Sequence, residues 1–415
     1  DKDGKFLAMR GSNIGNAGGH TGSFTPLQKG VEIMSSIYRM PCANFRARAV
    51  VSNTTPTRPY RSSGRPEVMF VIERLIDIAC YDFGFDRVAL RRRNLLRSDE
   101  LPYTNPFGMH YESGNYIDCM DQALKLGDWE GFAARRAEAR VRGKLRGIGL
   151  ANYVDTATGA PRERAEITVH PGNANEGRVD LVLGTISNGQ GHETSFAQLV
   201  HEWLGVPLDS VKLITGDTDI VKVGGGSHSG RGMRMGSVVI WNSAKEIVAK
   251  GTRIAARLLE CDPSNVQFDN GRFKANGANA SVSLSEVATA AQQLKDLPED
   301  LRGPLAAFSD VTDHTPSYPY GCHVCEVEID PALGTLEIVH YAAVDDVGLA
   351  VNPMIVHGQV HGGIVQGVGQ ALLEQCFYDE NSGQLITGSF MDYAMPRADN
   401  FPFFDAEFTE VPSTT

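Results

Sequence analysis

The chain has 415 residues, of which 42% are hydrophobic and 21% are charged, which suits two or three ordinary globular domains. Its net charge of −11 argues against nucleic-acid binding and against binding to anionic membranes. No apolar run is long enough to span a bilayer and no signal peptide is visible, so we predict a cytoplasmic protein without a membrane partner.

The first third of the chain predicts short strands and amphipathic helices. Lys5–Met9 has the pattern of a strand end, and the Gly- and Asn-rich segment Asn13–Ser23 that of a loop. A strand is predicted at Phe45–Val51, and Ser98–Ser113 is predicted to be a linker or crossover. The predicted helices are Leu27–Ser36, Pro66 to about Asp82, a helix capped by Asp86 that ends at Arg91–Asn94, Ile117–Leu126 and Trp129–Val141.

The middle of the chain contains a pattern that occurs twice: strand, glycine loop, helix. The first copy comprises the strand Arg178–Ser187, the loop Asn188–His192 and the helix Glu193–Leu204. The second has the strand Val211–Ile214, the loops Thr215–Asp219 and Gly224–Gly232, and a helix from about Ser237 to Glu260. Helix N-termini after glycine loops suit a phosphate or another anion, but two tight structural turns explain the same pattern. Neither loop is GxGxxG or GxxxxGK[ST], so a generic nucleotide-binding domain is not supported.

The segments around this pattern are predicted to be strands, hairpins and helices. Arg146–Val154 is a predicted strand, and Ala165–Val169 is predicted to pair with Val179–Leu183 across the turn His170–Glu176. Further on we predict a hairpin turning at Asn270–Gly271, a helix near Leu284–Leu294, a hairpin of Cys322–Ile329 with Leu336–Tyr341, and a helix from Met354 to about Glu374 capped by Asn352.

The last of these helices contains five glycines, at positions 358, 362, 363, 367 and 369. Each costs about 1 kcal/mol in a helix interior, so we expect another backbone or a ligand to lie very close. His357 and His361 stand four residues apart, as in half of a zinc motif, but packing is the favoured interpretation because no HExxH is present.

The seven cysteines are odd in number and scattered, which argues against a disulfide framework. Cys322 and Cys325 form a CxxC within a strand-like run, where residues three apart face opposite sides. A structural role is therefore favoured over zinc or an iron–sulfur cluster, and we predict no metal ligands from protein side chains.

The chain begins at Asp1, inside what resembles a hairpin already under way, and stops at Thr415 after a strand-like run. We therefore expect it to be an internal piece of a longer protein.

Seven motifs, in this order along nearly the whole chain, make it resemble the molybdopterin-binding large subunit of the molybdenum hydroxylases. That family includes xanthine dehydrogenase, aldehyde oxidoreductase and carbon monoxide dehydrogenase. The motifs are PYRSSGRPE (59–67), RRRN (91–94), NGQGHET (188–194), TGDTD (215–219), GGGSHSGR (224–231), GQVHGGIVQGVGQAL (358–372) and TGSFMDYAMPRAD (387–399).

The resemblance implies an α+β fold with two elongated cofactor-binding domains, in which mixed sheets are flanked by helices. Residues 1–97 would be the C-terminal part of the first domain, 98–145 a linker with helices, and 146–415 a second domain truncated at its C-terminus.

The resemblance also implies site residues. Molybdopterin, with molybdenum and as its cytosine dinucleotide, would lie between the two domains and be held by the two glycine loops. Arg61 would lie beside metal and substrate, and Gln366 would hydrogen-bond the pterin or a molybdenum oxygen. The loop residues implied as cofactor contacts are Gln190, Gly191, His192, Gly226, Ser227, His228, Ser229, Gly230 and Arg231.

The implied reaction is hydroxylation of a small-molecule substrate with water-derived oxygen. Electrons would leave through 2Fe–2S clusters on a small subunit and FAD on a medium subunit, in a dimer of heterotrimers. The family's general-base glutamate follows the segment at which this chain stops, so no residue here is assigned that role. Glu193 and Glu374 are expected to cap helices or to face solvent.

One departure bears on the substrate. Copper-dependent carbon monoxide dehydrogenases carry a cysteine directly after the loop arginine, and this chain has Ser62. An aldehyde or an N-heteroaromatic compound is therefore the expected substrate. The alternatives are a scaffold or assembly paralogue without cofactor and a copper-free protein similar to carbon monoxide dehydrogenase.

Overall fold

The computed structural model describes residues 1–172, 177–277 and 279–414. The strands are β1 Met9–Gly18, β2 Ala43–Val51, β3 Tyr103–Thr104, β4 His110–Tyr111, β5 Leu145–Val154, β6 Arg162–Val169, β7 Val179–Leu183, β8 Val211–Ile214, β9 Val266–Asp269, β10 Arg272–Ala275, β11 Ser281–Ser283, β12 Leu305–Thr312, β13 Tyr320–Asp330, β14 Thr335–Asp346 and β15 Asp405–Thr409. The helices are α1 Thr25–Glu32, α2 Arg65–Phe83, α3 Arg87–Asn94, α4 Tyr116–Leu126, α5 Phe132–Val141, α6 His192–Leu204, α7 Arg231–Leu258, α8 Leu284–Gln293 and α9 Pro353–Leu372.

The chain divides into two compact units. The first comprises Asp1–Thr156 together with Ser317–Thr415, and the second is Ala157–Pro316. None of the helices in the described part of the chain is long and apolar enough to cross a membrane.

The first unit is built on a four-stranded mixed sheet in the order β15-β14-β13-β5. β15 runs parallel to β14, and the other neighbours are antiparallel. Because side chains alternate between the faces of a strand, the sheet packs on both sides. Val324 and Val344 belong to the large core that α2 and α4 also line, whereas Ala343 packs against Ile364 of α9.

A second sheet of the first unit corrects one prediction. Strands β1 and β2 pair in parallel from Met9 opposite Ala43 to Gly18 opposite Val51. The loop predicted at Asn13–Ser23 is therefore wrong as far as Gly18. The Gly- and Asn-rich sequence carries little strand propensity, and the pairing that stabilises β1 comes from a strand far along the chain.

The second unit is a four-stranded mixed sheet in the order β12-β6-β7-β8, with α7 packed on β6 and β12. Alternate residues of β6 and β7, such as Ile167 and Leu181, are fully buried. The turn predicted across 170–176 falls on residues 173–176, which lie outside the described residues. The strand predicted at Arg178–Ser187 is shorter, because only Val179–Leu183 pairs with a neighbouring strand.

Helix α7 begins six residues before its predicted start at Ser237. Its first two turns contain Gly232 and Gly236, and a Cβ at these positions would lie 3.1 Å from the His192 ring and 2.9 Å from the Phe196 ring. The start of this helix is therefore determined by close packing against α6, which an apolar periodicity does not reveal.

Most other predicted elements are confirmed. The Asn270–Gly271 turn has φ values of 43° and 73°, as a two-residue hairpin requires. Asp86 caps α3 by accepting from Val88 and Ala89, and Asn352 caps α9 by accepting from Ile355. Helix α5 begins three residues later than predicted, and β13 and β14 are longer. The α+β class, with mixed sheets flanked by helices, is confirmed.

Candidate functional site

In the second unit, both glycine loops lead into helices whose N-termini lack a side-chain cap. Gly191 precedes α6 with φ 74°, and Gly230 precedes α7 with φ 71°. Serine, threonine, aspartate or asparagine at such a position would use its side chain to satisfy the first-turn N–H groups. With glycine there, these N–H groups carry partial positive charge and have no side-chain acceptor, which is the arrangement that binds anions.

The two loops contact each other. Gln190 donates from Nε2 to Ser227 Oγ over 2.6 Å, and its Oε1 accepts from the N–H of Asn188 at 2.5 Å. Deeper in the contact, a Cβ on Gly184 would overlap Gly224 Cα. The predicted site residues Gln190 and Ser227 are thus brought together.

A buried ion pair anchors the second loop. Arg231 is 1% exposed and donates from Nη1 to Glu163 Oε2 over 2.8 Å, while Glu163 is fully buried. The guanidinium also donates to the carbonyl oxygens of Ala160, Arg162 and Gly226. The backbone N–H of Arg231 donates to the carbonyl oxygen of His228 at 3.1 Å, so Arg231 supports the loop from inside the protein.

Glu163 has further partners that join the two loops to β6. Its carboxylate accepts from Thr185 Oγ1 at 2.9 Å and from the Gly225 N–H at 3.3 Å. Sequence reasoning missed Glu163, because a single glutamate within a strand gives no signal of its loop contacts.

His192 is the first residue of α6 and is only 5% exposed. Its ring lies 4.7 Å from the Phe196 ring, and its Nδ1 has no hydrogen-bond partner among the described residues. Burial lowers the pKa of this imidazole, so it is neutral at pH 7.

His228 and Ser229 are exposed, and Gly226 is half-buried. His228 Nε2 lies 3.1 Å from the Gly225 carbonyl oxygen, and its Nδ1 lies 3.3 Å from Ser229 Oγ. The Ser229 carbonyl accepts from the N–H of Thr158. Gly226 has φ 75° with open space where a Cβ would stand, so its conformation alone favours glycine.

In the first unit, the loop before α2 is held in an unusual conformation. Ser62, Ser63 and Gly64 have φ values of 69°, 53° and 91°. A Cβ at Gly64 would overlap the carbonyl of Pro26. Ser62 Oγ donates to Asp155 Oδ2 over 2.7 Å, and Arg65 pairs with the other oxygen of the same carboxylate at 3.2 Å. Strain of this kind persists where surrounding contacts enforce it.

Arg61 lies across α9. Its Nη2 donates to the Gln359 carbonyl over 2.7 Å, and its Nη1 lies 3.4 Å from Gln366 Oε1. A Cβ on Gly362 would stand 3.2 Å from Nη1, and one on Gly363 would stand 3.7 Å from the guanidinium carbon. The predicted residues Arg61 and Gln366 therefore meet, and two of the helix glycines provide the surface on which the arginine lies.

At the other three glycines of α9, Arg61 is not among the nearest neighbours of a Cβ position, and the three differ in what surrounds them. Gly369 packs against Pro396 and the Glu374 carboxylate. Gly358 and Gly367 have nothing within 4 Å of a Cβ position in the described part of the chain, so packing within this chain does not account for them.

The expectation that Glu374 would cap a helix or face solvent is wrong. It follows the end of α9 and accepts from Tyr60 OH at 3.2 Å and from Tyr393 OH at 3.0 Å. Burial, together with this carboxylate, raises the pKa of Tyr60 and raises that of Tyr393 to about 12. The sequence did carry a signal for this contact, because Tyr60 belongs to the motif at 59–67 and Tyr393 to the motif at 387–399. Glu193, in contrast, is exposed in the first turn of α6, as expected.

Two other sequence patterns have structural partners. Arg91 of the RRRN run is fully buried and pairs with Glu73 at 2.7 Å and Asp77 at 2.9 Å. His357 packs on Phe408 and His361 on Phe403 and Phe404, so the packing interpretation of this pair is confirmed.

Comparison with known proteins is consistent with this geometry. A family model described as "Molybdopterin cofactor-binding domain" matches residues 122–402, and a second model with the same description matches residues 1–95. The chain is 32% identical to the 6-hydroxypseudooxynicotine dehydrogenase complex subunit gamma of Paenarthrobacter nicotinovorans, over 99% of this chain and 52% of that protein. It is 30% identical to the carbon monoxide dehydrogenase large chain of Hydrogenophaga pseudoflava, over 99% of this chain and 53% of that one.

Among solved structures, quinoline 2-oxidoreductase from Pseudomonas putida 86 superposes with a TM-score of 0.90 at 30% identity. The match covers 100% of this chain and 54% of that one. The chain thus spans about half the length of the relatives that it matches.

Proposed function

Because the chain belongs to the molybdenum hydroxylase family, as a part of the large subunit made of molybdopterin cofactor-binding domains, we propose that the full-length protein hydroxylates an aldehyde or an N-heteroaromatic compound. In this proposal the oxygen comes from water and the electrons leave through other subunits. The family comparison supports the class of enzyme, and the choice of substrate rests on the names of two relatives and on Ser62.

The observation that carries the proposal is the pair of uncapped helix N-termini at Gly191 and Gly230. The backbone N–H groups of the 190–192 and 226–230 loops would hold the phosphates of the cofactor, and the contact between Gln190 and Ser227 would fix the two loops as one surface. The unpartnered Nδ1 of the buried His192 gives the same region one more group that a ligand can satisfy. The residues present therefore fit a molybdopterin dinucleotide, and we infer the cytosine form.

When bound, the molybdenum cofactor supplies a two-electron acceptor and a centre at which water is activated. Arg61 is proposed to lie beside the substrate and to orient it, because its guanidinium is exposed and retains donors not used by Gln359 or Gln366. Gln366 is proposed to donate its amide to the cofactor while its Oε1 faces Arg61. We propose that the general base lies in the part of the full-length protein beyond this chain.

For the substrate, two relatives favour a nitrogen heterocycle. The names of the 6-hydroxypseudooxynicotine and quinoline enzymes indicate compounds built on pyridine or fused pyridine rings. A second candidate, copper-free oxidation of carbon monoxide, is favoured by the similarity to the carbon monoxide dehydrogenase large chain. Ser62 argues against the copper-dependent form, because its hydroxyl donates to Asp155 and it offers no thiolate.

The assembly proposed is a dimer of heterotrimers in the cytoplasm, with 2Fe–2S clusters on a small subunit and FAD on a medium subunit. The name of one relative, a complex subunit gamma, supports the presence of further subunits.

The test is purification of the full-length protein with its co-encoded subunits, followed by metal analysis and release of nucleotide from the cofactor. We expect one molybdenum and one cytidine monophosphate per large subunit. Turnover is then measured with quinoline, nicotinate, benzaldehyde and carbon monoxide, using a dye as electron acceptor. Incorporation of ¹⁸O from labelled water into a heterocyclic product is the expected result.

One variant and the wild-type protein separate the hydroxylase from the scaffold alternative. Gly226→Asp places a carboxylate in the loop and is expected to abolish cofactor retention while the protein still folds, because a Cβ here meets open space and aspartate adopts the left-handed backbone at modest cost. If the wild-type protein assembles normally with neither molybdenum nor nucleotide, the scaffold alternative replaces the hydroxylase.

A further inference from the structure

Glu374 has no part in the proposed function, yet its carboxylate contacts Tyr60 in the loop that carries Arg61. We propose that Glu374 is a positioning residue, which fixes the Arg61 loop on α9 through the Tyr60 hydroxyl. This inference rests on the proposed function for its effect on turnover, but its structural part is testable without it.

The contact is directional. Tyr60 OH lies 3.3 Å from Oε1 and 3.2 Å from Oε2 of Glu374, and Tyr393 OH donates to Oε2 at 3.0 Å. A carboxylate accepts at both oxygens and cannot donate, so it accepts a hydrogen bond from each of the two phenols at once. Hydrogen bonds to a charged acceptor are roughly twice as strong as bonds between neutral groups.

The position of the carboxylate is itself fixed. The Glu374 N–H donates to the Gly369 carbonyl at 2.8 Å, which closes the C-terminal end of α9. Gly369 has no side chain, and a Cβ there would contact the Glu374 carboxylate and lie 2.7 Å from Pro396. The glycine thus provides the space in which the carboxylate lies.

Because Tyr60 is held by Glu374, the backbone of the next residue, Arg61, is restrained as well. The Tyr60 carbonyl accepts from the Ser63 N–H at 2.5 Å, so the residue is tied into the left-handed turn of Ser62, Ser63 and Gly64. Arg61, between the tethered Tyr60 and this turn, reaches the Gln359 carbonyl and Gln366. Asp155 restrains the loop on the other side, through Ser62 and Arg65. Two carboxylates therefore hold the loop, one before Arg61 and one after it.

The arrangement matters because an exposed arginine loses much rotamer and backbone freedom when it is held in one place. A loop restrained at both ends has that entropy removed before a substrate binds, which is how preorganisation increases a rate. Loss of the Glu374 tether should therefore reduce kcat more than it changes KM.

The experiment uses the full-length protein with its partner subunits and compares Tyr60→Phe, Glu374→Gln, Tyr393→Phe and Tyr81→Phe. Tyr81 is a matched control. It is 90% exposed on α2, and Tyr81→Phe removes the same hydroxyl as Tyr60→Phe. Hydrogen–deuterium exchange of the 59–65 segment, molybdenum content, thermal stability, kcat and KM are measured for each variant.

Tyr60→Phe and Glu374→Gln are expected to raise the exchange rate of the Ser63 and Arg65 amides roughly tenfold, the size expected from loss of a hydrogen bond to a charged group. Tyr393→Phe leaves the Tyr60 contact in place and is expected to change this rate less than about twofold. Tyr81→Phe is expected to have no effect on exchange or turnover.

In an active enzyme, Tyr60→Phe is expected to lower kcat roughly tenfold, with KM, molybdenum content and thermal stability close to wild type. Unchanged exchange in 59–65 for both Tyr60→Phe and Glu374→Gln would overturn the proposal. So would equal losses in kcat and thermal stability for Tyr60→Phe and Tyr393→Phe, which indicate a purely structural role. If no variant, including wild type, turns over any substrate, the exchange result still decides the tether, and only the proposed function fails.

Discussion

Arg231 and Glu163 form the most deeply buried charged contact of the second unit, with the two side chains 1% and 0% exposed. Four of the five guanidinium N–H groups donate, to one carboxylate and three carbonyls, so this side chain belongs to the interior of the protein. The predicted contact of Arg231 with the cofactor stays a prediction, and its observed role is to hold the 224–230 loop against β6. A buried polar cluster in which most groups are partnered is costly to open at any single member.

The first prediction concerns this pair. Glu163→Gln leaves the Arg231 charge buried without a counter-charge, and is expected to destabilise the second unit by about 3–5 kcal/mol. The control is Asp310→Asn, which breaks the more exposed pair with Arg162 on the same sheet and should cost less than about 1 kcal/mol. Native-state hydrogen exchange of the β6 and α7 amides measures both. Equal effects of the two variants would mean that the burial of the Glu163 pair has no energetic consequence.

At the scale of the elements, helix starts are specified in two different ways. Helix α8 begins with a capping box, in which Ser283 Oγ accepts from the Glu286 N–H and Glu286 accepts from Ser283 at 2.6 Å. Helices α6 and α7 begin at glycines with no side-chain cap. The contrast separates a helix start whose first-turn N–H groups are satisfied by its own side chains from two starts at which they have no side-chain acceptor.

The second prediction follows from the capped helix. The backbone N–H of Ser283, and then its hydroxyl, lower the pKa of Glu286 in the folded protein. A lowered folded pKa means that this contribution is fully present above the unfolded pKa, about 4.3, and is lost as the pH falls through the folded value. Glu286→Gln should therefore cost about 1 kcal/mol at pH 7 and progressively less as the pH falls through the folded pKa.

Exchange of the α8 amides, corrected for intrinsic rates and measured between pH 7 and pH 3, checks this dependence. Thr289→Ala removes a hydroxyl that donates within the same helix and should show no such trend. A Glu286→Gln difference that stays constant over this range would contradict the assignment.

These elements also show what a sequence can predict. Capped and periodic helices such as α2, α3 and α9 were predictable because their signals are local: Pro66 near a start, Asp86 and Asn352 as caps, and Gly84 at an end with φ 72°. Strand β1 and the start of α7 were not, because each depends on a partner distant in sequence. In the site, the glycine loops could be predicted from their composition, whereas the Glu374 and Glu163 contacts come from tertiary packing.

At the scale of the whole molecule, the chain divides into two compact units, each of which carries one group of candidate site residues. The glycine loops lie in the second unit, and Arg61, Gln366 and Glu374 lie in the first. The domain boundaries predicted at 97 and 146 stay a prediction, since contact-based units and family domains are different divisions of a chain.

The third prediction concerns removal of the cofactor from the full-length protein, by expression in a host that cannot synthesise it. A ligand that binds only the folded state, present at a hundredfold excess over its Kd, stabilises that state by about 3 kcal/mol. We therefore expect a lower Tm and faster exchange of the first-turn amides of α6 and α7. The α8 amides serve as the internal control and should exchange at the same rate in both preparations.

Cofactor-free protein in which the first turns of α6 and α7 are protected as in the loaded protein would show that these N-termini do not bind the ligand. Reconstitution with isolated cofactor should restore the protection, and this separates loss of ligand from loss of fold.

The glycines of the two loops differ in what could replace them. At Gly184 and Gly224 the two backbones touch, so any side chain at all is excluded. At Gly226 a Cβ would meet open space, and the requirement is a left-handed backbone, which asparagine also adopts at modest cost. In a saturation mutational scan, Gly184 and Gly224 should therefore admit no substitution, while Gly226 should tolerate a few residues, asparagine first. The same loop would then record two separate selective constraints, one steric and one conformational.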